Sequence, residues 1–296
     1  MPASYGCADA AGDREEPLLA TASQVRGWVL VEVRGAWGED AVHDSALGEH
    51  VPTDWKDRLK RHHGRVVCIR SHLRSDAPGV RLYGCVARRP GRGPAPLWMH
   101  EVDSLADVVA AVDELARRGE DAAGWQRVDH QLILVCTNGR HDQCCANRGR
   151  PLVRALRETR WADRVWECSH IGGDRFAANV VVLPDSLYFG RVEPESASPL
   201  LQALDAGRID LTTYRGRTSL TLAEQAVEHF VRRELGVDMI DAIAFEDRDD
   251  DAFVVRVGER SVRVRVERHM VSVAEPLTCH GRPDQLVPKF ELASIE

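Results

Sequence analysis

The chain has 296 residues, 44% of them hydrophobic and 29% charged, which is enough apolar material for two packed units. Its longest apolar runs, "WVLVEV" and "LILV", fall far short of the roughly 20 residues that a membrane-spanning helix requires, so no membrane span is expected. A formal charge of -7 without a long basic run excludes general nucleic-acid binding, which depends on a concentrated positive field.

Residues 1–24 are acidic and lack the basic start and apolar core of a secretory signal, so they read as a flexible tail on a protein that stays in the cytoplasm. In such a reducing compartment, closely spaced cysteines bind metal or do redox chemistry more often than they form disulfides. Residues 25–125 then read as one unit. "WVLVEV" (28–33) is a strand, residues 53–63 form a helix, and "RVVCIR" (65–70) and "RLYGCVA" (81–87) are strands. A helix follows, with Ser104 and Asp107 as a capping box, Leu105, Val108, Val109, Val112 and Leu115 at helical spacing, and Gly119 as its stop.

Residues 126–240 repeat the pattern. A strand over 131–136 precedes a helix through "RGRPLVRALRET" (148–159), with Pro151 near its first turn, and a strand at "DRVWEC". "NVVVL" and "LYFGRV" form a hairpin about Pro184-Asp185, and a helix begins at Ser198-Pro199. Another runs from the capping box of Thr221 and Glu224 to Gly236. Residues 241–296, where "AFVVRVGERSVRVRV" alternates, form a hairpin extension. The expected class is α/β, with two thioredoxin-like β-α-β-β-α lobes and a small C-terminal β appendage, the chemistry sitting in loops at one end of the sheet.

The stretch "CTNGRHDQCCANRGRP" (136–151) and the later "WECSHIGGDRF" (166–176) concentrate thiols and imidazoles. Cys136 ends a strand, Cys145 stands nine positions later ahead of the helix, and Gly139 helps the loop between them curl. Cys168 and His170 end a neighbouring strand, and Gly172-Gly173 lets the backbone approach the same point before Asp174. Thiolate and imidazole donors suit zinc or iron, and the absence of a tight C-x2-4-C pair favours an iron-sulfur unit over structural zinc. His141 and Asp142 are placed to tune such a centre by hydrogen bonds, and Arg175 to offset thiolate charge. Cys144 stands outside this set, because adjacent residues point in different directions. Cys7, Cys68, Cys85 and Cys279 have no partners at ligand spacing and read as core or surface thiols.

These two stretches resemble the sucrase/ferredoxin-like family, whose ferredoxin domain has a thioredoxin-like fold, over about 131–191. The resemblance implies a [2Fe-2S] cluster. Thioredoxin-like ferredoxins hold theirs with a C-x8-12-C pair and a later C-x3-C pair, which becomes H-x3-H in eukaryotic members of this family. Cys136 and Cys145 match the first pair and His170 the first histidine, whereas Asp174 stands where the second histidine belongs. The fourth ligand is then Cys168 or Asp174, and the stronger affinity of thiolate for iron favours Cys168 where geometry allows.

The expected activity is one-electron transfer with a redox partner protein, with a potential that falls as pH rises where His170 ligates iron. Two other classes stay open: a thiol enzyme using Cys136 or Cys145, and a zinc-binding or metal-free thioredoxin-fold scaffold. A glycosidase is not expected, because the chain offers 6% aromatics and no paired-acid motif.

Overall fold

A computed structural model describes residues 6–93, 95–246 and 252–296. In chain order, α1 (Cys7–Asp13) precedes β1 (Gly27–Glu32), α2 (Trp55–Arg61), β2 (Gly64–Arg70), β3 (Val80–Val86), β4 (Leu97–Val102), α3 (Val108–Arg118) and β5 (Gln126–Arg127). The second half holds β6 (Leu132–Cys136), α4 (Gln143–Arg157), β7 (Val165–Cys168), β8 (Val180–Leu183), β9 (Leu187–Phe189), α5 (Ala197–Asp205), β10 (Tyr214–Arg217) and α6 (Leu222–Leu235). Four more strands follow: β11 (Ile243–Phe245), β12 (Phe253–Val257), β13 (Arg260–Val273) and β14 (Gln285–Ile295).

The class is α/β, as expected, but the central strands make one continuous ten-stranded sheet in the order β10-β9-β8-β6-β7-β2-β1-β3-β4-β5. Each half has the same plan. β1 runs parallel to β2 and antiparallel to β3, and β6 runs parallel to β7 and antiparallel to β8. The halves join where β2 pairs antiparallel with β7, Ile69 opposite Cys168 and Arg70 opposite Glu167, with an Arg70–Glu167 ion pair of 3.1 Å across the seam.

Side-chain alternation sends one set of residues to each face of this sheet. On one face, Trp28, Leu30, Ile69, Tyr83, Leu134 and Trp166 belong to a single core drawn from both halves. Tyr83 meets Trp166 edge-on at 5.6 Å and Trp28 meets Tyr188 at 6.3 Å, so neither half has a private core on this side. Each half covers its other face with its own helices. α3 and Trp55 of α2 pack on β1 to β4, and α4 and α5 pack on β6, β8 and β9. Burial of Leu152, Val153 and Leu156 holds α4 to the sheet, at about 1.5–3 kcal/mol per side chain.

Four differences from the sequence reading bear on the site. Residues 6–24, expected as part of a loose tail, are docked, with Cys7 and Ala11 fully buried; residues 1–5 lie outside the described residues. α4 begins at Gln143 rather than near 148, because Asp142 is its N-cap and accepts a hydrogen bond from the Cys144 amide at 2.9 Å. Cys145 therefore sits in the first turn of the helix, and Pro151 lies in its interior. The C-terminal extension is a four-stranded antiparallel sheet, β11-β12-β13-β14, and Val227 and Val231 of α6 pack into its core. Finally, β4, the short β5 and β10 join the large sheet where no strand was expected, β5 and β10 at its edges. No helix among the described residues is long and apolar enough to cross a membrane.

Candidate metal centre

β6 and β7 end side by side, with Cys136 in register with Cys168, and both face the shared core. α4 then approaches the end of β6 so closely that a Cβ on Gly149 would stand 2.1 Å from the Cys136 carbonyl oxygen. That approach carries Cys145 over the strand end. The Cys145 thiol donates to the Cys136 sulfur and lies 3.1 Å from Asp174 Oδ1, so a single proton serves two acceptors. The Cys145 hydrogen bond draws the Cys136 thiol below its usual range despite burial, while the same bond, then burial and Asp174, push Cys145 up.

The loop after β7 is fastened to the first half of the chain. The Cys68 amide donates to Ser169 Oγ at 3.0 Å, and the Ile171 carbonyl accepts from Tyr188 Oη at 2.7 Å, Ser23 Oγ at 3.1 Å and the Arg65 guanidinium. This fixes His170 with Nδ1 turned inward, 2.9 Å from Asp174 Oδ1. The atoms are close, but His170 Nδ1 is buried without an aligned hydrogen-bond partner. A buried imidazole nitrogen without an aligned hydrogen bond, against a carboxylate that a thiol also contacts, is an arrangement that fits a metal ligand.

Asp174 is 3% exposed. Burial alone would raise its carboxyl, but the close contact and charge of His170, with the Cys145 hydrogen bond, prevail and hold it below the ordinary carboxylate range. The ring of His141 stacks on that of His170 at 3.7 Å, with Nε2 4.0 Å from Asp174 Oδ2. Burial, then the neighbouring His170, pull the His141 imidazole down. Both rings reach a cleft of about 480 Å³ between the halves, whose wall also carries Lys56, Lys60, His63 and Arg65. His141, His170 and Asp174 each offer a donor atom within 4.8 Å of the others.

Several residues stand elsewhere than their sequence context suggested. Cys168 is fully buried and burial pushes its thiol well up; like Cys136 and Cys145 it lies outside the donor group formed by His141, His170 and Asp174, and unlike Cys145 it has no hydrogen bond to Asp174. Asp142 caps α4 and faces away, toward the N- and C-terminal segments. Arg175 pairs with Glu16 of the N-terminal segment at 2.8 Å and does not serve the thiols. Cys68 and Cys85 are core thiols, each pushed to about 12 by burial.

The cation beside the centre is Arg215 of β10, only 2% exposed. It donates to Asn179 Oδ1 at 2.7 Å, to the carbonyls of Gly172 and Thr21, and to Thr21 Oγ1. Burial draws the guanidinium down to about 10, and the charges of Asp174 and Cys145 work against that fall. It also explains the paired glycines. Gly173 has φ +82°, and a Cβ there would meet Arg215 Nη2 at 2.2 Å, so its role is to admit the guanidinium. At the matching end of the first half, Glu32 is the last residue of β1 and pairs with Arg74 at 3.0 Å.

The profile of the sucrase/ferredoxin-like family matches residues 18–216. Altered inheritance of mitochondria protein 32 of Saccharomyces cerevisiae is 31% identical over 100 residues, covering 29% of this chain and 32% of that protein. Its counterpart in Saccharomyces kudriavzevii is 30% identical over 100 residues, with the same coverage of 29% and 32%. The chain thus spans about a third of the length of these relatives. Among solved structures, the thioredoxin-like [2Fe-2S] ferredoxin from Aquifex aeolicus aligns at 20% identity and a TM-score of 0.27, over 29% of this chain and 91% of that one. A cysteine variant of the same ferredoxin aligns at 21% identity and a TM-score of 0.28, over 30% and 100%. The family match extends over well more than half of the sequence, and the chain belongs to the sucrase/ferredoxin-like family.

Proposed function

We propose that this chain is a one-electron carrier that holds a [2Fe-2S] cluster through Cys136, Cys145, His170 and Asp174. The observation that carries the reading is the chain of contacts that links these four side chains at one end of the sheet, Cys136 to Cys145, Cys145 to Asp174 at 3.1 Å and Asp174 to His170 at 2.9 Å, with His170 Nδ1 buried and lacking an aligned hydrogen bond. When bound, the cluster supplies a one-electron couple, and a shell that replaces part of the thiolate set raises its potential. The chain's own residues do the rest. Cys136 and Cys145, each 1% exposed, face the dry core, while His170 and His141 border the cleft where a redox partner protein would come closest. Arg215 supplies positive charge against the anionic donors and holds Gly172 and Asn179 in place.

Cys168 shares the core with Cys136 and Cys145 but is left out of this set because, among the described residues, its thiol has no hydrogen bond to Asp174 or to Cys145, and His141 stands next to the donors, stacked on His170. The thiol-enzyme reading is the weaker one. A nucleophilic cysteine must be reached by its substrate, and 1% exposure at Cys136 and Cys145 denies that access. Anaerobic purification, an absorption spectrum and iron and sulfide assays test the proposal. Two irons and two sulfides per chain are expected, lost in Cys136→Ser and Cys145→Ser and retained in Cys168→Ser. A colourless, iron-free protein from anaerobic preparation and reconstitution would overturn it. Retention of iron in Asp174→Asn together with loss in His141→Ala would move the fourth ligand to His141.

A further inference from the structure

A second set of donors lies behind the first, on the other side of the start of α4. Cys7 of α1, Asp142 and Cys144 at the start of α4, and Cys279 between β13 and β14 each offer a donor atom within 4.8 Å of the others. Cys144 Sγ is 3.5 Å from Cys279 Sγ, which is 3.7 Å from Cys7 Sγ, and Cys7 Sγ is 3.6 Å from Asp142 Oδ2. With zinc–sulfur bonds of about 2.3 Å and a zinc–oxygen bond of about 2.0 Å, the edges of a tetrahedron are about 3.8 Å between sulfurs and about 3.5 Å between sulfur and oxygen. The observed separations match. A disulfide would unite only two of the three thiols and bring one pair to about 2.05 Å.

The backbone is arranged to suit this grouping. The Ala8 amide points at Cys144 Sγ at 3.5 Å, and the Cys279 amide donates to Asp142 Oδ2 at 2.8 Å. Each Asp142 oxygen accepts one amide, leaving a second lone pair free. Cys7, Asp142 and Cys144 are buried and Cys279 is partly exposed, and the four protein donors are the number that fills a structural zinc site.

The geometry points to a structural zinc site formed by Cys7, Cys144, Cys279 and Asp142, which fastens both terminal segments of the chain to the helix that carries Cys145. Zinc rather than a second redox centre follows from the donors: three thiolates and one carboxylate at tetrahedral spacing, four protein ligands in all. The site is separate from the proposed cluster and stands without it. Cys144 and Cys145 are neighbours in sequence, yet one turns to Cys279 and the other to Asp174.

Metal analysis of the full chain, purified from zinc-containing medium and passed through a weak chelator, is expected to give one zinc per chain, with an X-ray absorption spectrum of three sulfurs and one lighter donor. Cys7→Ser and Cys279→Ser should lose that zinc and keep iron and sulfide, whereas Cys136→Ser should lose iron and keep zinc. Zinc that persists in both Cys7→Ser and Cys279→Ser would overturn the assignment, as would a wild-type chain that neither carries zinc nor takes it up after metal stripping and reduction. Iron and sulfide that follow Cys7 and Cys279 would overturn it too. Where the serine variants fail to fold, the sulfur count around zinc in the wild-type chain decides: fewer than three sulfurs rejects the site.

Discussion

Glu228 of α6 is fully buried between two guanidiniums. Its Oε1 accepts from Arg217 Nε at 3.0 Å and from Arg232 Nη2 at 2.9 Å, and its Oε2 accepts from Tyr214 Oη at 2.9 Å. Glu228→Gln keeps the shape and removes the only carboxylate among those contacts, leaving two buried cations without their counterion. Breaking a buried ion pair in this way costs about 3–5 kcal/mol, a large part of the roughly 5–15 kcal/mol that stabilises a domain. In urea titrations with a slope of about 2–3 kcal/mol per molar, the midpoint should fall by about 1–2 M. Arg217→Met on the same background removes one stranded cation, so the double variant should be less destabilised than the sum of the singles by about 1–3 kcal/mol. A midpoint within about 0.3 M of wild type, or strict additivity, would refute the reasoning. The consequence reaches the metal centre. A register shift between Tyr214 and Gly216 lets Tyr214 and Arg217 both reach Glu228, while Arg215 points to Asn179 and Gly172. Loosening β10 should therefore lower iron retention as well as stability.

Gly173→Ala combines a left-handed backbone with a Cβ only 2.2 Å from Arg215 Nη2, so it should cost about 1–3 kcal/mol in thermal or urea melts and reduce iron content. Asp174→His exchanges an anionic donor for a neutral one and should raise the midpoint potential on the order of 100 mV in a spectroelectrochemical titration; an unchanged potential would remove Asp174 from the ligand set. Acid should destabilise the chain through Glu228, whose burial is overcome by Arg217 and Arg232 so that its carboxyl stays below the usual range. A depressed folded-state pKa gives stability that is complete above the unfolded value of about 4.3 and is lost as pH falls below it. Urea midpoints should accordingly hold from pH 6 down to about pH 5 and drop as pH falls below about 4, and the drop should shrink in Glu228→Gln.

Strands with fully apolar text were legible, and so were helix ends with side-chain caps. Ser104–Asp107 and Thr221–Glu224 form the capping boxes that their spacing predicts, and Gly236 closes α6 with φ +65°. β10 was not legible, because "YRGR" reads as a polar turn although all four residues are buried. Its arginines are buried through partners on α6, on the loop after β7 and at Thr21, which no local pattern announces. β4 was hidden by its mixed exposure, which breaks the alternation expected of a half-buried strand. The ligand spacing drew attention to Cys136, Cys145, His170 and Asp174, but their mutual distances depend on Gly149 and on the fastened Ile171 carbonyl. Cys7 and Cys279 had no signal at all, since 272 positions separate them in sequence and only the docked terminal segments bring them together.

The start of α4 shows why adjacent cysteines there are not redundant. Successive residues of an α-helix are rotated by about 100°, so two neighbours in the first turn face different surroundings. Here Cys145 turns to Asp174 and Cys144 to Cys279, while Asp142 caps the helix and touches the Cys7 side. A metal held at Cys144 would fix the first turn of α4, and with it the direction of the Cys145 sulfur one residue on. The zinc site and the proposed redox centre are then coupled through one helical turn. Stripping zinc from the chain should leave its iron and sulfide content unchanged but make release of iron to a strong chelator faster, and equal release rates with and without zinc would show that the turn is held by Asp142 alone.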